Sequence, residues 1–403
     1  MPSVCSDSPS ALLPLKTVPA PKLKLKVKQM VSQALYSLSY RSGLSSLYAR
    51  IRTRVKRDSV ATILMYHSVP EPREIPWMDP GNCLPAERFE QHMRFLAKHR
   101  HVISLDQLVQ ALEKGEPIRR GTVAITLDDG YLNNLTVAAP ILAKYGLPAT
   151  LYLATASIDA GENQWIDTLY SAFRARSRHV LSLSHLNLSH LTLDHPNLSD
   201  GSLSDGSLSD WKLADWKLAD WKLDSETACQ VAYRAIARHL IVCTPLQRDQ
   251  ILQAVDQQLR PTVYPPRMTL TWDDVRELRQ RYPMIDLGVH TASHIDLQTH
   301  WQDTEHELQL SINRLLTETG DRPQHLAFPY NRYCVESQTQ AAAYLRSAVA
   351  TSEADPVVRA HTDRYALPRL EAPESMLLLK AWTNGGFPDV PQRLFGRALT
   401  QSF

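Results

Sequence analysis

The sequence predicts an α/β fold built of parallel βα units. Two observations carry the prediction. Short apolar runs such as "VATILMYHSV" (60–69) and "TVAITLDD" (122–129) alternate with stretches of helical periodicity. The alternation breaks off near Leu183 and resumes in the last third of the chain. A chain of 403 residues with 43% hydrophobic content is long enough for one large globular domain or two ordinary ones.

Taken in order, residues 1 to about 26 are rich in Pro, Ser and Lys, and disorder is expected there. From Val31 to Val55 apolar residues recur with helical spacing, and arginines fill the other face. Residues 1–58 carry eleven Lys or Arg against only Asp7 and Asp58. Two readings of this basic arm stand: its helices pack on the domain, or residues 22–57 lie on an anionic membrane surface. The first strand, 60–69, runs into His67. "ERFEQHMRFLAKHR" then reads as a helix with Phe89, Met93 and Leu96 on one face, and "SLDQLVQALEKG" as another, capped by Ser104 and stopped at Gly115. After the aspartate strand come a helix, a Gly-Leu-Pro break and a further strand, "ATLYLAT".

Leucine then recurs every five residues from Leu183 to Leu223, and the later units read "WKLAD WKLAD WKLD". Five is neither the helical nor the strand period. The pattern loosely resembles pentapeptide-repeat β-helices, but Trp211, Trp216 and Trp221 fall where such coils want a small inward residue. Near-identical units suggest duplication in a tolerant surface loop. Two helices follow, the second starting after Pro245, before the α/β alternation resumes through "MIDLGVH", "HLAFPY" and "AVAT". The expected organisation is a basic arm (1–58) and a (β/α) domain (59–403) interrupted by the repeat (177–224) and a helical pair (225–262).

Net charge is +2, which gives no argument for a nucleic-acid partner. The five cysteines contain no Cys-x-x-Cys and are odd in number, so isolated thiols in a reducing compartment are expected. No apolar run approaches the roughly 20 residues of a membrane span, and no secretory signal pattern is evident at the N-terminus. Cytoplasmic location is the default expectation, with membrane association through the arm as its extension.

Chemistry concentrates in two places. Asp128 and Asp129 end an apolar strand, where two neighbouring carboxylates repel each other and lose hydration. Something must compensate them, or they cap the next helix. "HTASH" supplies His290 and His294, four apart as on one face of a helical turn. Two neutral imidazoles and one carboxylate would make a facial triad with open positions for water and substrate. A divalent ion would offset one aspartate and leave the other ionised beside it as a base. Both side chains reach one site only if the chain turns there, which Gly130 permits.

The order "TLDDG", "HTASH", "FPY", "LPR", preceded by "LMYHSV" and "LTWDDVREL", resembles the polysaccharide deacetylases, the NodB-homology or carbohydrate esterase family 4 domains. The likeness spans about Val60 to Leu370. It implies a distorted (β/α) barrel of the NodB-homology type, here with a helical and repeat insertion. It implies Asp128 as general base, Asp129, His290 and His294 as metal ligands, and the Tyr330 backbone N–H as oxyanion donor. Phe328 and Pro329 would line the substrate site. Arg369 would orient Asp128, with a structural salt bridge as the alternative. Trp165 would stack on a sugar or pack in the core. The late histidine motif that supplies the acid in many members has no convincing counterpart: His361 lies in a polar stretch, and His67 either faces the site or is structural. Asn331 replaces the family's usual Gly after Pro-Tyr, and Asn tolerates positive φ.

The function expected is metal-dependent removal of an N-acetyl, or formyl, group from a sugar, either a cell-envelope glycan precursor or a lipid-linked saccharide. Zinc is the expected ion; cobalt, nickel and iron also suit the donor set. The alternative from another class is a catalytically inactive carbohydrate-binding protein that retained the barrel.

Overall fold

A computed structural model of the chain describes residues 60–183, 220–352 and 356–384. The basic arm and residues 184–219 of the repeat lie outside the described residues.

Seven parallel strands close into a barrel. β1 (Ala61–Tyr66), β3 (Thr122–Leu127), β4 (Ala149–Leu153), β7 (Ile285–Val289), β8 (His325–Ala327), β9 (Ser347–Thr351) and β10 (Leu367–Glu371) pair in the spatial order β1-β10-β9-β8-β7-β4-β3. The ring is closed by β1 against β3, in register from Ala61↔Thr122 to Tyr66↔Leu127. A two-residue strand, β2 (His101–Val102), adds to the start of β3. The barrel is distorted at β7–β8, where the ladder has a single register pair, Val289↔Leu326. Every residue of β1, β3 and β4 is buried, because helices cover the outside while side chains fill the inside.

Local signals explain the covering helices. α1 (Ala86–His99) buries Phe89, Met93 and Leu96 along one stripe. α2 (Leu105–Glu113) starts at a capping box in which Ser104 accepts from the Gln107 amide and the Gln107 side chain bonds back. α3 (Ala139–Tyr145) ends where Gly146 turns left-handed, so the Gly-Leu-Pro break is the junction into β4.

Between β4 and β7 the chain builds a second, smaller core. α4 (Thr155–Ala160) and α5 (Trp165–Arg174) lead to an antiparallel pair, β5 (Val180–Ser182) with β6 (Asp220–Lys222). α6 (Glu226–Ile241) and α7 (Pro245–Leu259) follow, α7 opened by a Thr244/Gln247 capping box. Phe173, Leu181, Leu223, Ile236 and Val255 pack together there, separate from the barrel core. Leu183, Trp221 and Leu223, at the two ends of the five-residue pattern, are all buried in or beside this cluster. The remaining helices return to the barrel wall: α8 (Trp272–Arg281), α9 (Thr304–Thr319), α10 (Val335–Tyr344) and α11 (Met376–Trp382).

β7 approaches its neighbours closely enough to require a glycine. A Cβ on Gly288 would lie 2.5 Å from the Tyr152 ring and 2.9 Å from the His325 carbonyl. Gly288→Ala is therefore expected to destabilise the protein by about 1–3 kcal/mol through overpacking. Denaturant unfolding checks this, and an unchanged midpoint would contradict the close approach.

Candidate active site

The motif residues gather at the C-terminal ends of the barrel strands, the end where (β/α) barrels place their sites. His67 follows β1, Asp128 and Asp129 follow β3, His290 follows β7, and Phe328 follows β8. They line one cleft of about 230 Å³ together with Trp165, Tyr330, Asn331 and Arg369.

Asp128 and Asp129 are both buried, and the backbone separates them. Asp129 has a φ of 75° and Gly130 a φ of 76°, so the turn starts on the aspartate itself. The positive φ favours glycine at 130, where a Cβ would also stand 2.8 Å from the tip of the Leu153 side chain. Asp128 meets Arg369 in a bidentate pair, Nη1 donating to Oδ1 at 2.7 Å and Nη2 to Oδ2 at 2.8 Å. Burial pushes the Asp128 carboxyl up, but the charge and hydrogen bonds of Arg369 and the nearby His290 hold it below the ordinary carboxylate value. His67 Nε2 stands 4.0 Å from Asp128 Oδ2 on the solvent side, with its side chain 19% exposed.

Asp129 faces the two histidines instead. Its Oδ1 lies 3.4 Å from His290 Nε2 and 3.3 Å from His294 Nε2, and the two Nε2 atoms are 3.1 Å apart. Burial raises the Asp129 carboxyl and the two imidazoles more than reverse this, leaving it well below its usual range. His294 is pushed down to about 4, by burial first and then by His290, so it is neutral at pH 7. His290 Nδ1 sits 2.7 Å from the Ala327 carbonyl, which assigns the proton to Nδ1 and aims Nε2 into the site.

The three side chains fit a divalent ion. Donor atoms at about 2.1 Å from a tetrahedral centre are about 3.4 Å apart, close to the spacings found here. Two imidazoles, one carboxylate and an open side toward the cleft are the donor set of a catalytic site, not of a closed structural one. Among the described residues this is the cluster able to hold a metal.

The histidines do not share a helical turn. They come from a loop after β7 in which Thr291 (φ 62°) and His294 (φ 52°) are both left-handed. Glu307 on α9 holds that loop, accepting from the amides of Ala292 and Ser293 at 2.9 and 2.8 Å. "FPY" has the same character: Tyr330 (φ 55°) and Asn331 (φ 58°) are left-handed, and Asn331 Oδ1 accepts from the Thr351 amide at 2.9 Å. Phe328 and Tyr330 line the cleft, whereas Pro329 is buried behind it. Trp165 lines it with its ring tilted against Tyr330, its Nε1 donating to the Tyr330 hydroxyl at 2.8 Å. His361 is exposed and does not line the cleft.

Sequence reading missed the opposite wall. Gln230, Tyr233, Arg234, Ala237 and Ile241, all on α6, line the cleft. Their spacing marks one helical face, but nothing in a lone stripe says what it covers. A buried polar network ties this wall to the catalytic side. The Tyr233 hydroxyl donates to Asp79, the Asp79 amide donates to Asp167 at 2.8 Å, and the Tyr131 hydroxyl donates to Asp167 at 2.7 Å. Gln164 adds a bond from Nε2 to the Asp129 carbonyl at 2.9 Å.

Three comparisons with known proteins bear on this site. A family profile described as polysaccharide deacetylase matches residues 115–226, a span that holds Asp128 and Asp129. The "Putative polysaccharide deacetylase YxkH" of Bacillus subtilis (strain 168) is 32% identical over 108 residues, 26% of this chain. Those residues span 36% of that relative's length. Over these residues the chain is similar to the polysaccharide deacetylases. Similar solved structures include the Streptococcus pyogenes deacetylase PplD in complex with acetate (TM-score 0.48, 17% identity, 81% of this chain and 99% of that one). A de-N-acetylase from Aggregatibacter actinomycetemcomitans has a TM-score of 0.46 and 14% identity, over 79% of this chain and 97% of that one. For IcaB from Ammonifex degensii the values are 0.48 and 11%, over 81% and 97%.

Burial raises the Asp167 carboxyl to about 7 from 3.8, with the charges of Asp79 and Asp129 adding to the rise against its hydrogen bonds. A folded-state value above the unfolded one means that the folded protein binds the extra proton between those limits. Stability from this group is full below about pH 4 and is lost as pH rises to about 7. The unfolding free energy of the wild type minus that of Asp167→Asn should fall by up to about 1.4 kcal/mol per pH unit across that window, then level off. A difference independent of pH would contradict the buried, protonated carboxyl.

Proposed function

We propose that the chain is a metal-dependent hydrolase that removes an N-acetyl, or formyl, group from a sugar. The observation that carries the reading is the meeting of Asp129, His290 and His294 beside an ionised Asp128 at the floor of an open cleft. The relationship to the polysaccharide deacetylases supports it.

When bound, a divalent ion at these three ligands supplies Lewis acidity toward the acyl oxygen and acidifies water. The chain's own groups do the rest. Asp128, held ionised by Arg369, accepts a proton from the attacking water. Arg369 is fully buried and grips both carboxylate oxygens, so it fixes the orientation of the base. The Tyr330 amide donates to the oxygen that gains charge. His67, across Asp128 at the open side of the cleft, donates a proton to the departing amine and stands in for the missing late histidine. Trp165 supplies apolar surface for a sugar ring, with Phe328 buried beneath the cleft floor.

Zinc is the ion proposed, since nitrogen and oxygen donors with an open position suit it. The substrate proposed is a cell-envelope glycan precursor or lipid-linked saccharide. The cleft, at about 230 Å³, is below the roughly 300–1,000 Å³ of most small-molecule sites, which favours engagement of one or two sugar units. Among the described residues no helix is long and apolar enough to cross a membrane. The basic residues 22–57 are proposed for peripheral contact with an anionic membrane.

Two variants separate the roles. Asp128→Asn should keep metal content near that of the wild type while losing at least about 10²-fold in turnover, the scale of a general base. Its melting temperature should also drop, because Arg369 loses a buried counter-ion. His67→Gln should lose about 10²- to 10⁴-fold in turnover with metal content and stability unchanged. Acetate or formate release from N-acetylated and N-formylated sugars, free, nucleotide-linked and lipid-linked, is the assay. Metal-loaded wild type that releases neither acid from any of them would refute the activity, and full turnover by Asp128→Asn would refute its role as base.

A further inference from the structure

The carbonyl of His294 is held by two donors, one buried and one partly buried, that come from different parts of the chain. Arg248 Nη2, on α7, donates to it at 3.2 Å, and the Tyr330 hydroxyl donates to it at 3.0 Å. We infer that this pair is a clamp that keeps His294 in its ligating pose, and that Arg248 is a positioning residue of the metal site.

His294 is left-handed at φ 52°, a conformation a non-glycine residue keeps only when its surroundings enforce it. Its ring is not fixed through the nitrogen that faces away from the site, because His294 Nδ1 is buried without a hydrogen-bond partner. His290 differs: its ring is fixed through Nδ1 by the Ala327 carbonyl. Metal-binding histidines are ordinarily oriented through the ring nitrogen that does not bind the ion. At His294 that restraint is moved from the ring to the backbone carbonyl, where two donors hold the peptide and the peptide aims Nε2 at Asp129.

Arg248 is only 4% exposed and its Nε has no hydrogen-bond partner. Burying a guanidinium is costly unless its geometry is put to use. Its plane lies over the Trp165 ring, with Cζ 5.6 Å from the centroid, and Trp165 Nε1 donates to the same Tyr330 hydroxyl that holds the carbonyl. The Tyr330 ring in turn packs edge-on to the His294 imidazole at 4.5 Å. Arg248, Trp165, Tyr330 and His294 therefore form a closed circuit. Through it α7, by way of Arg248, takes part in the candidate metal site.

The inference rests on the proposed metal site, and direct metal titration tests the two separately. Zinc affinity is measured by competition with a chromophoric chelator at fixed pH for wild type, Arg248→Met, Arg248→Lys and Tyr330→Phe, with circular dichroism confirming each fold. Loss of an outer partner of a metal ligand ordinarily costs 10- to 100-fold in affinity. Arg248→Met should fall in that range, Arg248→Lys should lose less because an ammonium can still donate, and Tyr330→Phe should fall in the same direction. A purely structural Arg248 would lower the melting temperature of the metal-free protein and leave affinity unchanged. Should Arg248→Met fail to fold, Tyr330→Phe carries the test, since it removes the other donor to the same carbonyl. Affinities within threefold of wild type in the folded variants overturn the clamp and leave the proposed activity intact. A wild type that binds no zinc overturns both.

Discussion

Two neighbouring carboxylates, both buried, set the constraint that the rest of this molecule meets. Side by side on a regular strand they would point to opposite faces, and without partners neither would stay ionised. The left-handed turn at Asp129 and Gly130 brings both to the mouth of the barrel, and each then meets a different kind of charge. Asp128 receives a fixed cation, Arg369, from β10. Asp129 receives two imidazoles, which with it form a donor set for an exchangeable cation. One carboxylate is thereby kept as an ionised side chain and the other as a candidate ligand. In the proposed function, that division separates base from metal site within two residues.

Left-handed backbone recurs wherever the site is built. Asp129, Thr291, His294, Tyr330 and Asn331 account for five of the six non-glycine residues with positive φ among the described residues. Such conformations persist only where the surroundings over-determine them. Glu307 supplies two of the restraining bonds, and Asn331 another through Thr351. Concentrating the strain in three loops on one rim leaves the strands regular and lets short motifs deliver side chains that no helix or strand would bring together.

Much of this was legible in the chain, for reasons that also mark the limits. Strands β1, β3 and β4 are buried throughout, so their apolar runs announced them, and the polar residues that end them announced the rim. Ser104, Gly146 and Pro245 stand at helix boundaries because caps are local and need no tertiary information. The four-residue spacing of His290 and His294 suggested a helical turn, yet a loop with left-handed Thr291 and His294 gives the same convergence. Nothing in a threonine codon announces positive φ. Arg248, Glu307 and the α6 face were invisible for a different reason. Each sits in an amphipathic helix of ordinary composition, and its importance arises only from what lies across the gap when the chain is folded.

Asp129, His290 and His294 are proposed to bind one divalent ion. X-ray absorption at the zinc edge of the metal-loaded protein tests it most directly. About one zinc per chain is expected, in a shell of nitrogen and oxygen at about 2.0–2.2 Å with the outer scattering of two imidazoles. A sulfur neighbour near 2.3 Å, or failure to retain a divalent ion, would contradict it.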